Sequence, residues 1–290
     1  MSEPFSPRVV DVLKCPYCGM NLRLSSPAVS LEVFTCDHGH TFDRARQGYL
    51  TLLGKHSQQK TADTLDMVMR RARFHEADYY APFAAEIAGQ LKAEMGENPT
   101  PLLGDFGAGT GYYAQALIAA MPEAQCIALD LSKRALQRAK ALGVFCIVAD
   151  TWAGFPLRDH VLDGAINVFA PRNGEEFARD LKSGAPLIVS TPTQKHMHEV
   201  RSAAELIKIG RQDHEKREDV RSKLDRYFDF EKTTLTEFEL VLSGQDVEDL
   251  VMMGPNAYHT NLDELRATIT ALPQPFHVTF SVESHLYHAR

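Results

Sequence analysis

The sequence predicts an α/β fold in which helices cover both faces of a mostly parallel sheet, with a small metal-binding module at the N-terminus. From Pro101 onward, short apolar runs of strand length alternate with helical patterns, and the first run ends in a glycine-rich loop. Near the N-terminus, two pairs of metal-ligand residues have the spacing of a structural zinc site. The predicted domains are a zinc-binding module at 1–55, a helical bridge at 56–100 and an α/β domain at 101–290.

Composition narrows the class of protein. The chain has 290 residues, of which 44% are hydrophobic and 24% charged, as in an ordinary globular protein. No apolar run reaches the roughly 18 residues that span a bilayer. The first five residues lack the basic start and apolar stretch of a secretory signal, so a cytoplasmic location is expected. The net charge of −7 is not the basic footprint of nucleic-acid binding, although residues 1–60 are slightly basic.

The metal module is predicted from four residues, Cys15, Cys18, Cys36 and His40. Two short-spaced ligand pairs joined by a longer loop are typical of a tetrahedral zinc site. Four protein ligands leave no open coordination position, so the zinc is expected to be structural. His38 stays open as an alternative to His40.

The remaining elements follow from hydrophobic periodicity. The module is expected to contain strands at 34–35 and 49–53. In the bridge, Asp63 is predicted to cap a helix through Met67 and Phe74, and a second helix covers 80–95. The α/β domain is predicted to have strands at 102–106, 126–130, 144–149, 165–169 and 187–190, and helices at 112–121 and 133–142. The charged section 195–228 is predicted to be helical, before a strand at 238–242, helices at 245–253 and 261–271, and a strand at 276–283.

The glycine-rich loop indicates a cofactor. It contains Gly107, Gly109 and Gly111, follows Asp105 and opens a helix at Tyr112. A dinucleotide fold usually shows G-x-G-x-x-G at this turn, whereas the spacing here is G-x-G-x-G. The carboxylate of Asp105 repels phosphate and attracts an ammonium group. The loop therefore favours S-adenosylmethionine, which carries an amino group and a sulfonium but no phosphate.

Two further aspartates end predicted strands. Asp130 comes about twenty residues after the loop, where an acidic side chain can bind both ribose hydroxyls. Asp150 ends the third strand and is placed to reach the adenine, with Thr151 and Trp152 beside it. The alternative is a glycine-rich turn in an ordinary α/β domain.

Taken together, these motifs resemble the bacterial 23S ribosomal RNA guanine-N1 methyltransferases. The resemblance spans roughly residues 10–200 and is carried by Cys15-x-x-Cys18, Cys36-x-x-x-His40-x-Phe42-Asp43, Gly48-Tyr49, Leu52-Leu53, Asp63-Thr64, Met67, Arg71, Phe74, Tyr80, residues 105–113, Asp130-Leu131-Ser132-Lys133, Phe169-Ala170-Pro171, Thr191-Pro192 and His196. Arg172 stands where relatives have a cysteine.

The resemblance implies a class I S-adenosylmethionine-dependent methyltransferase domain with a Rossmann-like sheet. It also implies a zinc module that helps recognise a hairpin of 23S ribosomal RNA, transfer to N1 of one guanine, and a homodimer. By position, Tyr80, Tyr113 and His196 are similar to family residues that contact the methyl donor.

A base pocket is expected at the end of the fourth strand, because ligands of open α/β sheets bind outside the carboxyl ends of strands. There Phe169 could stack on the guanine and Asn167 could bond its edge, or Phe169 could belong to the sheet core. The N1 atom lies on the Watson–Crick edge, so the base must be unpaired or flipped out. His196 is expected to contact the donor rather than to act as a base.

Several alternatives stay open. The donor site could serve a small-molecule acceptor, or the chain could be a non-catalytic zinc-ribbon binding protein. The basic residues of the bridge, Arg70, Arg71 and Arg73, could hold RNA phosphate or pair with Asp66 or Glu76. Flanking the module, Arg44, Arg46 and Lys55 could likewise contact phosphates or form a solvated basic face.

Overall fold

An eight-stranded sheet forms the centre of the molecule. The computed structural model describes residues 4–26, 32–55, 57, 63–139, 141–204 and 222–290. A separate three-stranded sheet consists of β1 (Leu22–Ser26), β2 (Val33–Cys36) and β3 (Thr41–Asp43). The strands of the main sheet are β4 (Leu50–Thr51), β5 (Leu102–Phe106), β6 (Gln125–Asp130), β7 (Val144–Val148), β8 (Gly164–Asn167), β9 (Pro186–Pro192), β10 (Phe228–Leu242) and β11 (Phe276–Ala289).

The order of the main sheet creates a crevice at one edge. Its strands follow the order β10-β11-β9-β8-β5-β6-β7-β4. The pairs from β9 to β4 are parallel, whereas β11 runs antiparallel to both β9 and β10. From β5 the chain builds outward through β6 and β7, and it then returns to place β8 on the other side of β5. This reversal is the topological switch point at which open α/β sheets bind ligands, outside the carboxyl ends of the strands.

Helices cover both faces of the sheet. They are α1 (Pro7–Asp11), α2 (Leu65–Glu76), α3 (Ala81–Glu94), α4 (Tyr112–Ala120), α5 (Lys133–Leu136), α6 (Gly174–Asp180), α7 (His198–Ala204), α8 (Gly244–Met252) and α9 (Leu262–Ala271). Successive residues of β5 enter opposite cores: Leu103 packs with α3 and α4, and Leu102 packs with the N-terminal residues and α6. The predicted two-faced parallel sheet is therefore confirmed. Among the described helices, none has the length and apolar character that crossing a membrane requires.

The N-terminal segment packs directly on the main sheet. Phe5 contacts Phe34 of the small sheet and Phe145 of β7, with ring centroids 5.4 and 5.5 Å apart. The two residues of β4 pair in parallel with Ile147 and Val148 of β7. The metal module therefore shares a hydrophobic core with the α/β sheet and adds a strand to its edge.

Several predicted boundaries were wrong. Thr64, and not Asp63, caps α2, since its hydroxyl accepts the Met67 N–H. The helix predicted at 133–142 ends at Leu136, because the chain then turns and Ala139 packs beside the glycine loop. Both β10 and β11 are longer than predicted, because β11 has a hydrogen-bonded neighbour on each side.

Within the charged section predicted to be helical at 195–228, the structure shows α7 at His198–Ala204, while residues 205–221 lie outside the described part of the chain.

Two of the three bridge arginines, Arg70 and Arg73, form ion pairs with α8, whereas Arg71 pairs with Asp63. Arg70 is 5% exposed and contacts Asp66 at 2.6 Å, Glu248 at 2.8 Å and Asp249 at 3.0 Å. Arg73 binds Asp249 with two hydrogen bonds of 2.7 and 2.8 Å. The predicted pairing with Asp66 is thus present for Arg70, but the main partners lie on another helix, some 178 residues away in sequence.

Replacing Arg70 by methionine should destabilise the protein by about 3 kcal/mol, because two buried carboxylates lose a shared partner. The free energy of unfolding in urea measures this effect. Arg23→Met is the matched control: its partner Asp37 lies at 3.2 Å, but both side chains are exposed, so a loss below about 1 kcal/mol is expected. Equal losses in the two variants would contradict a stabilising role for the buried network.

Candidate functional site

The four predicted metal ligands converge. The ligand atoms of Cys15, Cys18, Cys36 and His40 all lie within 4.8 Å of one another. Cys18 Sγ is 3.6 Å from Cys36 Sγ, and His40 Nδ1 is 3.5 Å from Cys15 Sγ and 3.4 Å from Cys36 Sγ. Ligands placed tetrahedrally around zinc at 2.0–2.3 Å stand about 3.4–3.8 Å apart, so the donor set fits zinc. His38 is exposed and outside this group, which makes His40 the fourth ligand.

Short-range hydrogen bonds shape the two halves of the metal cluster. In the first, the Gly19 N–H donates to Cys15 O; in the second, the Gly39 N–H donates to Cys36 O. Both glycines have positive φ, 73° and 79°, so each turn needs a residue without a Cβ. Each ligand pair is therefore held together by hydrogen bonds that span only three or four residues of sequence.

Of the basic residues that flank the module, Arg44 pairs with Glu32, whereas Arg46 and Lys55 are exposed.

The glycine loop connects β5 to α4 at the switch point. Gly107, Gly109 and Gly111 have φ values of 89°, 54° and 75°. A Cβ on Gly107 would lie 2.2 Å from the Ala170 Cβ, and one on Gly111 would lie 2.5 Å from the Ala139 Cβ. Glycine is therefore required there both by the backbone conformation and by close approach.

Asp130 is bonded to the loop. Its Oδ2 accepts the Gly109 N–H at 2.8 Å, and its Oδ1 accepts the Ser132 N–H at 2.7 Å. Burial raises the pKa of the Asp130 carboxyl. The side chain predicted to bind ribose thus also fixes the loop at the carboxyl end of β6.

Asp105 is a buried carboxyl beneath the loop. It is 1% exposed, and its Oδ2 atom has no hydrogen-bond partner. Burial, followed by repulsion from the Asp130 carboxylate, raises the pKa of Asp105 to about 8. A buried acceptor without a partner is destabilising unless a ligand supplies the missing donor, so the site fits a group with an ammonium.

Asp150 lies at the crevice just past the carboxyl end of β7. It is buried, and its Oδ1 accepts the Trp152 N–H at 3.0 Å. Beside it, the Ala149 N–H donates to Asp130 O at 3.0 Å. The strand-end aspartates 105, 130 and 150 therefore come together at one edge of the sheet.

An aromatic cluster lies beside the loop and contains the other predicted site residues. Tyr80 is buried, with its ring 4.7 Å from Phe280 and 6.3 Å from Phe169. His196 lies 6.0 Å from Phe169 in a near-parallel arrangement and 5.1 Å from Phe280. The buried hydroxyl of Tyr113 has no hydrogen-bond partner, which is a second polar atom that a ligand could satisfy.

His75 was missed in the sequence. Its ring stacks on Tyr112 at 4.3 Å, and its Nδ1 lies 3.0 Å from the hydroxyl of Thr110 in the glycine loop. Burial, with the nearby Arg71 cation, lowers the pKa of His75 to about 3, so the ring is neutral. Its spacing of four residues from Arg71 on one helix face was the available signal.

The two residues of the expected base pocket have different environments. Phe169 is 43% exposed and has a φ of 53°, which is uncommon for a bulky residue and costs about 1–3 kcal/mol of backbone strain. Asn167 is fully buried, and its amide donates to Phe106 O at 2.7 Å and Pro171 O at 3.1 Å. In this arrangement the Asn167 amide joins the end of β5 to the segment that carries Phe169.

Comparison with known proteins gives consistent matches. Residues 13–61 match a zinc-ribbon family model described as RlmA, N-terminal. Over 276 residues the chain is 36% identical to the 23S rRNA (guanine(748)-N(1))-methyltransferase of Streptomyces fradiae, covering 94% of this chain and 95% of that protein. A provisionally named 23S rRNA (guanine-N(1)-)-methyltransferase of Micromonospora griseorubida is 36% identical over 295 residues, covering 97% and 98% of the two chains. Among solved structures, the YcgJ protein from Bacillus subtilis has a TM-score of 0.45 at 15% identity, over 71% of this chain and 96% of its own.

Proposed function

The chain belongs to the 23S ribosomal RNA (guanine-N1)-methyltransferase family, and we propose that the guanine it methylates lies in a hairpin of that RNA. It is an S-adenosylmethionine-dependent enzyme with a structural zinc ion. The proposal of an RNA hairpin substrate is best supported by two features that occur together. A carboxylate-lined glycine turn lies at the switch point, and a zinc ribbon packs on the same sheet.

The geometry of the crevice supports an assignment of the donor-binding residues. When bound, S-adenosylmethionine supplies an electrophilic methyl group on a sulfonium, and positioning provides most of the rate. We assign Asp105 to the ammonium, Asp130 to the ribose hydroxyls and Asp150 to the adenine. The glycine loop, with Tyr112, lets the backbone approach the ligand closely, and Tyr80, Tyr113 and His196 contact its remaining parts.

The raised pKa of Asp105 makes donor binding depend on pH. In the free protein this carboxyl is mostly neutral at pH 7, since its pKa is about 8. An adjacent ammonium favours the ionised form, so binding releases a proton, and the affinity should rise up to about 50-fold between pH 6 and 8. In the unliganded protein the folded pKa of about 8 exceeds the ordinary value of 3.8, so the stability contribution of this group declines as the pH rises from about 4 and is fully lost above about 8.

Calorimetric titration of S-adenosylhomocysteine at pH 6, 7 and 8 checks this expectation. Asp105→Asn should weaken binding at pH 8 about 10- to 150-fold and remove the pH dependence. Asp180→Asn is the matched control, because burial also raises the pKa of Asp180 but that residue lies near the amino end of β8. A pH-independent affinity in the unaltered protein would argue against the ammonium assignment.

The base site is proposed beside Phe169. The exposed ring lies next to the aromatic cluster and is available to stack on a guanine that has left its pair. Asn167 is proposed to shape this site through the backbone groups it holds, and its Oδ1, which is buried without a partner, is available to the base edge if the segment shifts.

His196 is better suited to donate a hydrogen bond than to take the N1 proton. The Ser281 N–H donates to its Nδ1 at 3.2 Å, so the neutral ring carries its proton on Nε2. In this tautomer the Nε2–H of His196 is a hydrogen-bond donor. We therefore propose that His196 contacts the methyl donor, and that the guanine proton leaves to another acceptor or to water.

The zinc module, residues 1–55, is proposed to contact the RNA, and the helical bridge, residues 56–100, to connect it to the methyltransferase domain at 101–290. Arg46 and Lys55 are available for phosphate contacts because both are exposed. From the family resemblance we also propose a homodimer that binds one RNA. A cytoplasmic location is proposed as well, because ribosomal RNA is made and assembled there in bacteria.

The test uses unmodified 23S ribosomal RNA transcribed in vitro, the protein, and S-adenosylmethionine with a labelled methyl group. Primer extension should then stop at one guanine, because a methyl on N1 blocks base pairing. Absence of label in the RNA, with no stop in primer extension, would contradict the proposed substrate.

A further inference from the structure

Trp152 is the one tryptophan of the chain, and 63% of it is exposed. It lies on a turn just past the carboxyl end of β7, two residues after Asp150, at the edge of the donor crevice. Large exposed aromatic rings at such an edge are unfavourable in water and frequent at binding sites.

The turn that carries Trp152 is rigidly anchored. The Asn173 amide donates to Thr151 O at 2.8 Å, and Arg179 donates to Phe155 O at 3.0 Å. Glu176 accepts the Phe155 N–H. The backbone on both sides of the ring is therefore held by α6 and by its capping residue, Asn173. A ligand that binds the ring does not have to restrict the conformation of the turn.

The same turn leads directly to the zinc module. Just beyond it, the Lys14 N–H donates to Pro156 O at 2.9 Å, and the Arg158 N–H donates to Val12 O at 2.8 Å. Leu13 and Leu157 form an antiparallel bridge. Trp152 thus lies two positions after Asp150 of the donor crevice and four positions before Pro156, which bonds to the zinc module.

We propose that Trp152 is a stacking platform for an unpaired base of the RNA substrate, next to the guanine that is methylated; this rests on the proposed function. The segment 150–158 joins the donor crevice to the backbone on which the zinc module docks, so Trp152 lies beside a direct path between the two sites. The π-face of an indole stacks on any nucleobase. The platform selects RNA in which bases next to the target are unpaired.

Nearby charges indicate that stacking, rather than phosphate attraction, provides the contact. Lys14 pairs with Asp159 at 3.7 Å, and the Arg158 guanidinium donates to Asp11 O at 2.9 Å. Glu175 is exposed on α6. Cations and carboxylates therefore nearly balance around the turn, and loss of the ring should leave the salt dependence of RNA binding unchanged.

The experiment measures binding of unmodified 23S ribosomal RNA by filter retention, and of S-adenosylhomocysteine by calorimetry. Trp152→Ala should weaken RNA binding about 5- to 150-fold, the range for loss of one stacked base, and leave the affinity for S-adenosylhomocysteine unchanged. Trp152→Phe, which keeps a ring, should stay within about threefold of the unaltered protein. Leu142→Ala is the control, because Leu142 is 78% exposed at the opposite, amino end of β7.

Because the chain has one tryptophan, its fluorescence reports on this position. The RNA should quench the emission, and S-adenosylhomocysteine alone should not. Equal RNA affinity in Trp152→Ala and the unaltered protein would overturn the inference. So would weaker S-adenosylhomocysteine binding with quenching by that ligand, which would assign the ring to the adenine. If the unaltered protein neither binds nor methylates the RNA, the proposed function fails together with the inference.

Discussion

Replacement of Cys36 by alanine should release the zinc ion and reduce RNA methylation at least about 100-fold, because structural zinc supplies about 10–16 kcal/mol of apparent binding free energy. That is comparable to or larger than the whole stability of a folded domain, which is about 5–15 kcal/mol. The turns around Gly19 and Gly39 have no disulfide to hold them together, since none of the described cysteines forms one. Elemental analysis should find about one zinc per unaltered chain and little in the variant.

The zinc variant should still bind the methyl donor. Gly107 and Ala108 donate to Leu129 O and not to the module, so the affinity for S-adenosylhomocysteine should change less than about threefold. The control is Cys146→Ala: that cysteine is also buried, but it lies in β7 and donates to Ala139 O, away from the metal ligands, so its loss should leave the zinc in place. Full methylation by a Cys36→Ala chain without zinc would show that the ribbon is dispensable.

Replacement of Gly107 by alanine should weaken S-adenosylhomocysteine binding at least about 100-fold, with a similar loss of methylation. The new Cβ would lie 2.2 Å from the Ala170 Cβ, so either the loop or the segment after β8 must move. The positive φ of 89° adds about 1–2 kcal/mol of strain for any residue with a Cβ. Both changes displace the backbone that approaches the ligand.

A second glycine separates the two causes. Gly184 has a φ of 76°, but nothing lies within 4 Å of the position a Cβ would take. Gly184→Ala therefore introduces the strain without the clash, and it should reduce stability by about 1–2 kcal/mol while leaving donor binding intact. Calorimetry and thermal unfolding of both variants make the comparison. Unchanged donor affinity in Gly107→Ala would remove this turn from the cofactor site.

Local features of the site were predictable because each lies within a few residues of sequence. The two ligand pairs of the zinc cluster close through turns of four or five residues, so spacing was sufficient to identify them. The glycine loop is likewise a strand, a turn and a helix in immediate succession. The family resemblance across these motifs agrees with the near full-length matches.

Features formed between distant residues were not predictable. The partners of Arg70 on α8 lie about 178 residues away, and sequence spacing along one helix could only suggest Asp66. The contact of His75 with Thr110 joins α2 to a loop 35 residues later. Asn167 was expected to face a base, yet its amide is engaged by two backbone carbonyls. The roles proposed for Asn167 and Phe169 stay predictions.

Residue order along the chain was enough to predict the metal ligands, a donor turn and the alternation of strands and helices, since all of these depend on neighbours only a few positions apart. Chain folding determined the rest: that β4 joins β7, that Arg70 and Arg73 of α2 pair with α8, and that Trp152 lies between the zinc module and the donor crevice. The physical reason is that such contacts depend on which surfaces pack together, and a one-dimensional pattern of residue types does not encode that choice uniquely.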